Sequence, residues 1–185
     1  QLGFTPSGRH RTKPVSLWTA GDARVVLNEQ QARDQVPQVS AVGLRVPDAD
    51  AMSRRATELM APAAYRRTYA SEQPLGAAVA PGGTEIFWAT ESAWVDEFEN
   101  GRQPVATPVL GIDYVNLSQP WQTFDDAVLF FTSLFGLSAD VPTEVPGPRG
   151  LVRSQSMRTP DAAVRLLLNV APHVLDDADL PQHVA

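Results

Sequence analysis

Two stretches of the chain end alike, DARVVLN (22–28) and AVRLLLN (163–169), and each closes a run of strand-like segments. A repeat of this kind constrains the fold more than any single residue does. Between the two lies a complete unit. VSAVGLRV (39–46) alternates as a strand does, and Asp48 and Asp50 then introduce a helix with Ala49, Met52, Ala56, Leu59 and Met60 near helical spacing over 49–60. Pro62 stops that helix, and AYRRTYA, AAVA and TEIFWAT (84–90) read as three strands, with Pro81-Gly82-Gly83 as a turn. The same order returns in LGIDYVNLS (110–118), in a helix with Phe124, Val128, Phe131 and Phe135 on one face, and in the strands GLVRSQSMR and AAVRLLLNV around a turn at Pro160-Asp161. Thr123 and Asp126 have the spacing of a capping box, and Gly136 that of a helix stop.

The pattern predicts an α+β fold of repeated βαβββ modules. Leu2-Gly3-Phe4 parallels Phe135-Gly136-Leu137, so the chain is expected to open inside a first module, just after its helix. LPQHVA (180–185) parallels GIDYVNL, the opening strand of a further module, so the modules are expected to be incomplete at both ends. The expected grouping is 1–90 as a first two-module domain, an acidic connector at 91–107, and 108–185 as the start of a second.

Charge and composition remove several functions. A net charge of −6 argues against a nucleic-acid partner, which would demand a basic face. Cysteine is absent, which rules out disulfides and thiolate metal sites and suggests a cytoplasmic setting. No apolar run has membrane-spanning length.

The paired βαβββ units resemble the vicinal oxygen chelate superfamily. HRTKPVSLWTAGDARVVLN (10–28) resembles the N-terminal domain of bacterial 4-hydroxyphenylpyruvate dioxygenases. It is most similar to the dioxygenase-like domain fused behind a barrel in bacterial dehydroshikimate dehydratases, and GLVRSQSMRTPDAAVRLLLNVAP (150–172) agrees. In the dioxygenases, Fe(II) is held by a His on the first strand of the third module, a His on the first strand of the fourth, and a Glu on its last strand. That arrangement leaves positions open for an aromatic 2-oxoacid and O₂. The resemblance places His183 at the second His and Tyr114 at the first, with the family's preceding Asp at Asp113; the Glu position lies beyond Ala185. It places the family's substrate-facing Ser and Asn at Ser154 and Asn169.

Tyr114 departs from the pattern. A phenol must lose a proton near pH 10 to bind a metal well, whereas imidazole is a neutral ligand suited to Fe(II). The expectation is therefore a dioxygenase-like protein with an impaired iron site, its metal absent or weakly held. The alternative is a non-catalytic domain that stabilises or oligomerises a fused dehydratase. No catalytic residue is assigned.

Each candidate also has a plainer reading. His183 can be a strand-end histidine, Ser154 a solvent-facing strand residue, and Asn169 a strand terminus. His10, in a basic HRTK stretch, reads as surface or interdomain, and His173 as a solvated loop residue. Arg153 and Arg165 suit outward strand faces. Gly82-Gly83, with no helix following, is a hairpin turn and no phosphate loop.

Overall fold

The computed structural model describes residues 3–30, 38–102, 105–147, 150–170 and 183–185. His173 lies outside them. By packing, the chain forms two compact units: 1–38, 67–74 and 91–112 in one, and 39–66, 75–90 and 113–185 in the other. These units group residues by contact, whereas the grouping above follows the repeat.

The first unit is a four-stranded antiparallel sheet. Its strands are β1 (Thr5–His10), β2 (Val15–Ala20), β3 (Ala23–Asn28) and, after a long excursion, β7 (Phe98–Asn100), in the order β3-β2-β1-β7. Pro6 cannot donate to a ladder, and the β1–β2 register shifts between Pro6 and Gly8, a bulge of the kind that accommodates such a residue. The β2–β3 hairpin turns at Gly21, whose φ of 54° is the left-handed conformation glycine adopts without strain. A Cβ there would also strike the backbone carbonyls of Val109 and Leu110. Residues 91–107, expected as a plain connector, contain a 3₁₀ turn (Ala93–Glu97) and the edge strand β7.

The second unit contains the strands and helix of both repeats. In one, β4 (Ala41–Arg45) leads through α1 (Ala49–Glu58) to β5 (Gly76–Val79) and β6 (Glu85–Ala89), and β6 runs parallel beside β4. In the other, β8 (Val115–Ser118) leads through α2 (Phe124–Phe135) to β9 (Ser138–Ala139), β10 (Thr143–Gly147), β11 (Gly150–Arg158) and β12 (Arg165–Val170). Here β12 runs parallel beside β8. The short β13 (His183–Val184) adds to the free side of β8, antiparallel. What the two repeats share is a first strand, a helix and a last strand that returns parallel beside the first; two strands follow the helix in one and four in the other.

Two expectations need correction. AYRRTYA is no strand: only an isolated bridge, Ala63 to Ala78, remains where a strand would pair. The backbone beyond it is committed elsewhere, because Arg67–Pro74 belongs to the first unit and the Tyr69 and Glu72 backbones close a turn there (3.0 Å). Thr123 occupies the N-cap of α2, but its hydroxyl turns back to the Pro120 carbonyl (3.4 Å), so no capping box forms. Asp125 and Asp126 in the first turn still complement the helix dipole. The α1 start behaves as expected, with the Asp48 carboxylate accepting from the Ala51 N–H (2.8 Å). Gly136 ends α2 at φ 67°.

The core of the second unit includes two apolar clusters, the larger of them built on the large sheet. Phe124, Ala127 and Phe131 from α2 meet Val115, Leu117, Met157, Leu166 and Leu168 from the large sheet, with Ala80 and Ile86 from the smaller repeat. Trp88 lies across Gly76, where a Cβ would collide with the indole, and its Nε1 donates to Ser53 Oγ (3.1 Å). Phe131 is fully buried while Leu129, two residues earlier, is 63% exposed. Phe131→Ala is accordingly expected to cost about 3–5 kcal/mol in urea unfolding. Leu129→Ala should stay within about 0.5 kcal/mol of the parent.

Candidate functional site

Strand alternation sends successive side chains to opposite sheet faces. In the large sheet, one face receives Val115 and Leu117, Leu166 and Leu168, Gln155 and Met157; all are buried, and the apolar ones share a core with α2. The other face receives the residues between them, and these are largely polar. Ladder register aligns Thr143, Ser154, Asn169 and Ser118 as one row across four strands. The next row is Ser156, Leu167, Asn116 and position 183.

Ser154 and Asn169, expected from their strands to be either pocket residues or a solvent-facing residue and a strand end, are thus direct cross-strand neighbours. Both are half-buried, and Asn169 lies within β12. The Asn169 carbonyl accepts from the Gln119 N–H (2.7 Å). Its side-chain Oδ1 is buried and, among the described residues, has no hydrogen-bond partner. A buried acceptor of this kind calls for a water or a ligand, because leaving it unmade costs about 1–3 kcal/mol.

The two positions marked for metal come near each other through β8 and β13. Tyr114 exchanges backbone hydrogen bonds with Ala185 (3.2 and 3.0 Å), and the register sets His183 opposite Asn116. Tyr114 is half-buried. Asp113 is exposed and ion-paired with Arg165. Arg153, expected to face outward, lies over the Phe124 ring (4.9 Å) and 3.8 Å from Asp125. A phenol at 114 and a histidine at 183 are not the two-His, one-carboxylate donor set. Among the described residues, no third metal-ligating group joins them.

A second polar cluster, in the first unit, was not anticipated. His10 is buried, contrary to the surface reading of its HRTK stretch. As the last residue of β1 it pairs with Phe98 of β7, whose ring meets the imidazole edge-on at 5.2 Å. Its Nε2 lies 2.9 Å from Glu97 Oε2 and 3.7 Å from Glu72 Oε1. The Thr12 backbone N–H donates to Nδ1 (3.2 Å), so Nε2 carries the ring proton and donates it to Glu97. Glu72 accepts from the Thr12 hydroxyl (2.7 Å), Lys13 Nζ (2.6 Å) and the Tyr69 N–H (3.1 Å). Glu97 also accepts from the Gln73 N–H. Lys13 and Arg67 both approach the Tyr69 ring, at 5.7 and 4.9 Å. No linear motif announces this cluster. Its one sequence signal is position: in a strand at 5–10 starting with inward Thr5, His10 falls on the buried side once the bulge is counted.

Burial alone would push the Glu72 carboxyl up. The hydrogen bonds from Lys13, Thr12 and Tyr69, with the Lys13 charge, outweigh it and bring the group from its ordinary 4.5 down to about 2.

Mixed sheets with few helices, built from repeats whose last strand returns parallel to the first, define a protein of the vicinal oxygen chelate class. The family described as "Hydroxyphenylpyruvate dioxygenase, HPPD, N-terminal" matches residues 1–115, and the chain belongs to that family. A 3-dehydroshikimate dehydratase of Pseudomonas putida is 32% identical over 184 residues, 92% of this chain and 29% of the relative. A 4-hydroxyphenylpyruvate dioxygenase of a Pseudomonas species is 25% identical over 190 residues, 91% of this chain and 52% of the relative. The chain therefore spans about half or less of the length of these relatives. Among solved structures, a xylose isomerase-like TIM barrel/4-hydroxyphenylpyruvate dioxygenase fusion protein superposes with a TM-score of 0.76 at 28% identity, over 93% of this chain and 29% of its own. A 4-hydroxymandelate synthase variant from Streptomyces coelicolor, at 14% identity and a TM-score of 0.71 over 97% of this chain and 58% of its own, shares the fold. Among the described residues no helix is long and apolar enough to cross a membrane.

Because Glu72 is held below its ordinary value, its ionised form stabilises the fold above about pH 4.5, and that stabilisation is lost as pH falls toward about 2. The whole effect is on the order of 3 kcal/mol. Unfolding free energy measured from pH 6 to pH 2 should fall less steeply in Glu72→Gln than in the parent; equal slopes would remove Glu72 from the acid response.

Proposed function

We propose that this chain is a 4-hydroxyphenylpyruvate dioxygenase-like domain that binds a small aromatic 2-oxoacid on the polar face of its large sheet, without a working iron centre of its own. The observation that carries this reading is the Asn169 Oδ1 beside Ser154, buried and without a hydrogen-bond partner among the described residues. An amide oxygen so placed accepts from a ligand hydroxyl such as a phenol. The hydroxyls of Ser154, Ser156 and Thr143 can donate to carboxylate or keto oxygens on the same face. Apolar Leu167, between Ser156 and Asn116 in the second row, offers a surface for a ring. Binding and orientation are the work these residues can do. Where iron is complete in the family it supplies two-point binding of the 2-oxoacid and activation of O₂. Tyr114 in place of imidazole supports the view that this chain does not supply that chemistry.

A second reading is favoured by the identity to 3-dehydroshikimate dehydratase across 92% of the chain. In it the domain is non-catalytic and stabilises or self-associates a fused enzyme, whose lyase chemistry lies elsewhere.

Calorimetric titration with 4-hydroxyphenylpyruvate distinguishes the two. The binding reading expects saturable binding, weakened about tenfold by Asn169→Leu and several-fold by Ser154→Ala, in line with about 1 kcal/mol per hydrogen bond. No binding, or binding indifferent to both substitutions, would overturn it. Concentration-dependent self-association by analytical ultracentrifugation, with no ligand bound, would favour the second reading.

A further inference from the structure

We propose that His10, Glu72 and Glu97 form a binding site for one divalent transition-metal ion, of the Zn²⁺, Co²⁺ or Fe²⁺ class, within the four-stranded-sheet unit. It is separate from positions 114 and 183, which lie in the other unit.

Three segments distant in sequence deliver one donor each: the end of β1, the 67–74 excursion, and the 3₁₀ turn before β7. The three side chains are only 3%, 2% and 3% exposed. Their ligand atoms all lie within 4.8 Å of one another. A tetrahedral ion with bonds of about 2.0–2.1 Å spaces its ligands about 3.3 Å apart. The His10 Nε2 separations, 2.9 Å to Glu97 and 3.7 Å to Glu72, bracket that spacing. One imidazole with two carboxylates is a borderline donor set. It suits Zn²⁺ and its first-row neighbours better than Ca²⁺ or Mg²⁺, which take oxygen alone.

The surrounding contacts are those a metal ligand needs. Lys13 engages Glu72 at Oε2 and leaves Oε1 toward His10. Thr12 serves both tautomers of His10. Without metal, its backbone N–H donates to Nδ1 and the ring proton sits on Nε2. With metal on Nε2, the proton moves to Nδ1, 3.3 Å from Thr12 Oγ1. That oxygen can accept it while its own hydrogen stays on Glu72 Oε1. The Thr12 amide loses its acceptor in the metal-bound form, which lowers affinity but leaves the donors in place.

The test is titration of chelator-treated chain 1–185 with Co²⁺ and Zn²⁺, followed by calorimetry and the visible spectrum of the Co²⁺ form. The expected result is about one ion per chain retained on dialysis, as for a preformed three-donor site. Thr12→Val, which keeps all three donors, should weaken binding about 10–100-fold. Glu97→Gln and His10→Gln should weaken it further, while His183→Ala leaves it unchanged. Retention of no ion, or equal affinity in parent and His10→Gln, would overturn the proposal, as would loss of the ion on His183→Ala. If the donor variants fail to fold by circular dichroism, X-ray absorption of the parent's Zn²⁺ form decides: an imidazole in the shell supports the site, and an imidazole-free shell overturns it.

Discussion

The feature on which the large unit depends is the parallel pairing of the first and last strands of each repeat, β4 with β6 and β8 with β12. Parallel neighbours cannot be joined by a hairpin, so the chain must cross over, and here it crosses with a helix. The helix needs an apolar face to lie on. That requirement assigns Leu117, Leu166 and Leu168 to one side of the sheet and leaves Ser118, Leu167 and Asn169 to the other. With α2 on one face only, the opposite face is free to carry polar side chains. The candidate binding surface follows from the topology before any residue on it is considered.

Much of this was legible in the sequence because it depends on local period. The alternation in SQSM and LLLN gives β11 and β12 their two faces, and the phenylalanine spacing with Gly136 gives α2 its inward side and its end. Family likeness put Ser154 and Asn169 on one site, and the register sets them side by side. What escaped was whatever depends on a competing partner. Thr123 has the right spacing for a capping box, yet its hydroxyl finds the Pro120 carbonyl. AYRRTYA has strand-forming residues, yet its second half is drawn away by Glu72, which binds the Tyr69 N–H and Lys13. Propensity describes what a segment does alone, and here tertiary contacts decided otherwise.

The His10 cluster escaped for a related reason. Nothing within ten residues of His10 predicts Glu97, and Glu72 sits in an unremarkable SEQP stretch. Only the pairing of β1 with β7 brings Glu97 to the imidazole, and β7 is a three-residue edge strand with no pattern of its own. Conversely, besides its ladder to β1 and the Arg11–Glu99 pair, β7 is held by Phe98, which packs edge-on to His10 at 5.2 Å and to Trp94 at 6.0 Å. The polar cluster and the edge strand therefore specify each other. Neither could be read before the other was known.

Buried carboxylates are tolerated only when each oxygen is met by a donor, because the desolvation cost of an unmet charge is several kcal/mol. Glu72 meets that condition through three donors from two segments, the β1–β2 turn and the 67–74 stretch. It thereby fastens a stretch with no regular secondary structure to the first unit. The same donors leave Oε1 directed at His10. An arrangement that satisfies a buried acid in this way also fixes the distances among three potential ligands. The requirement that holds the 67–74 segment in place is thus the one that prepares the cluster for a cation, and a single substitution at Glu72 should affect both.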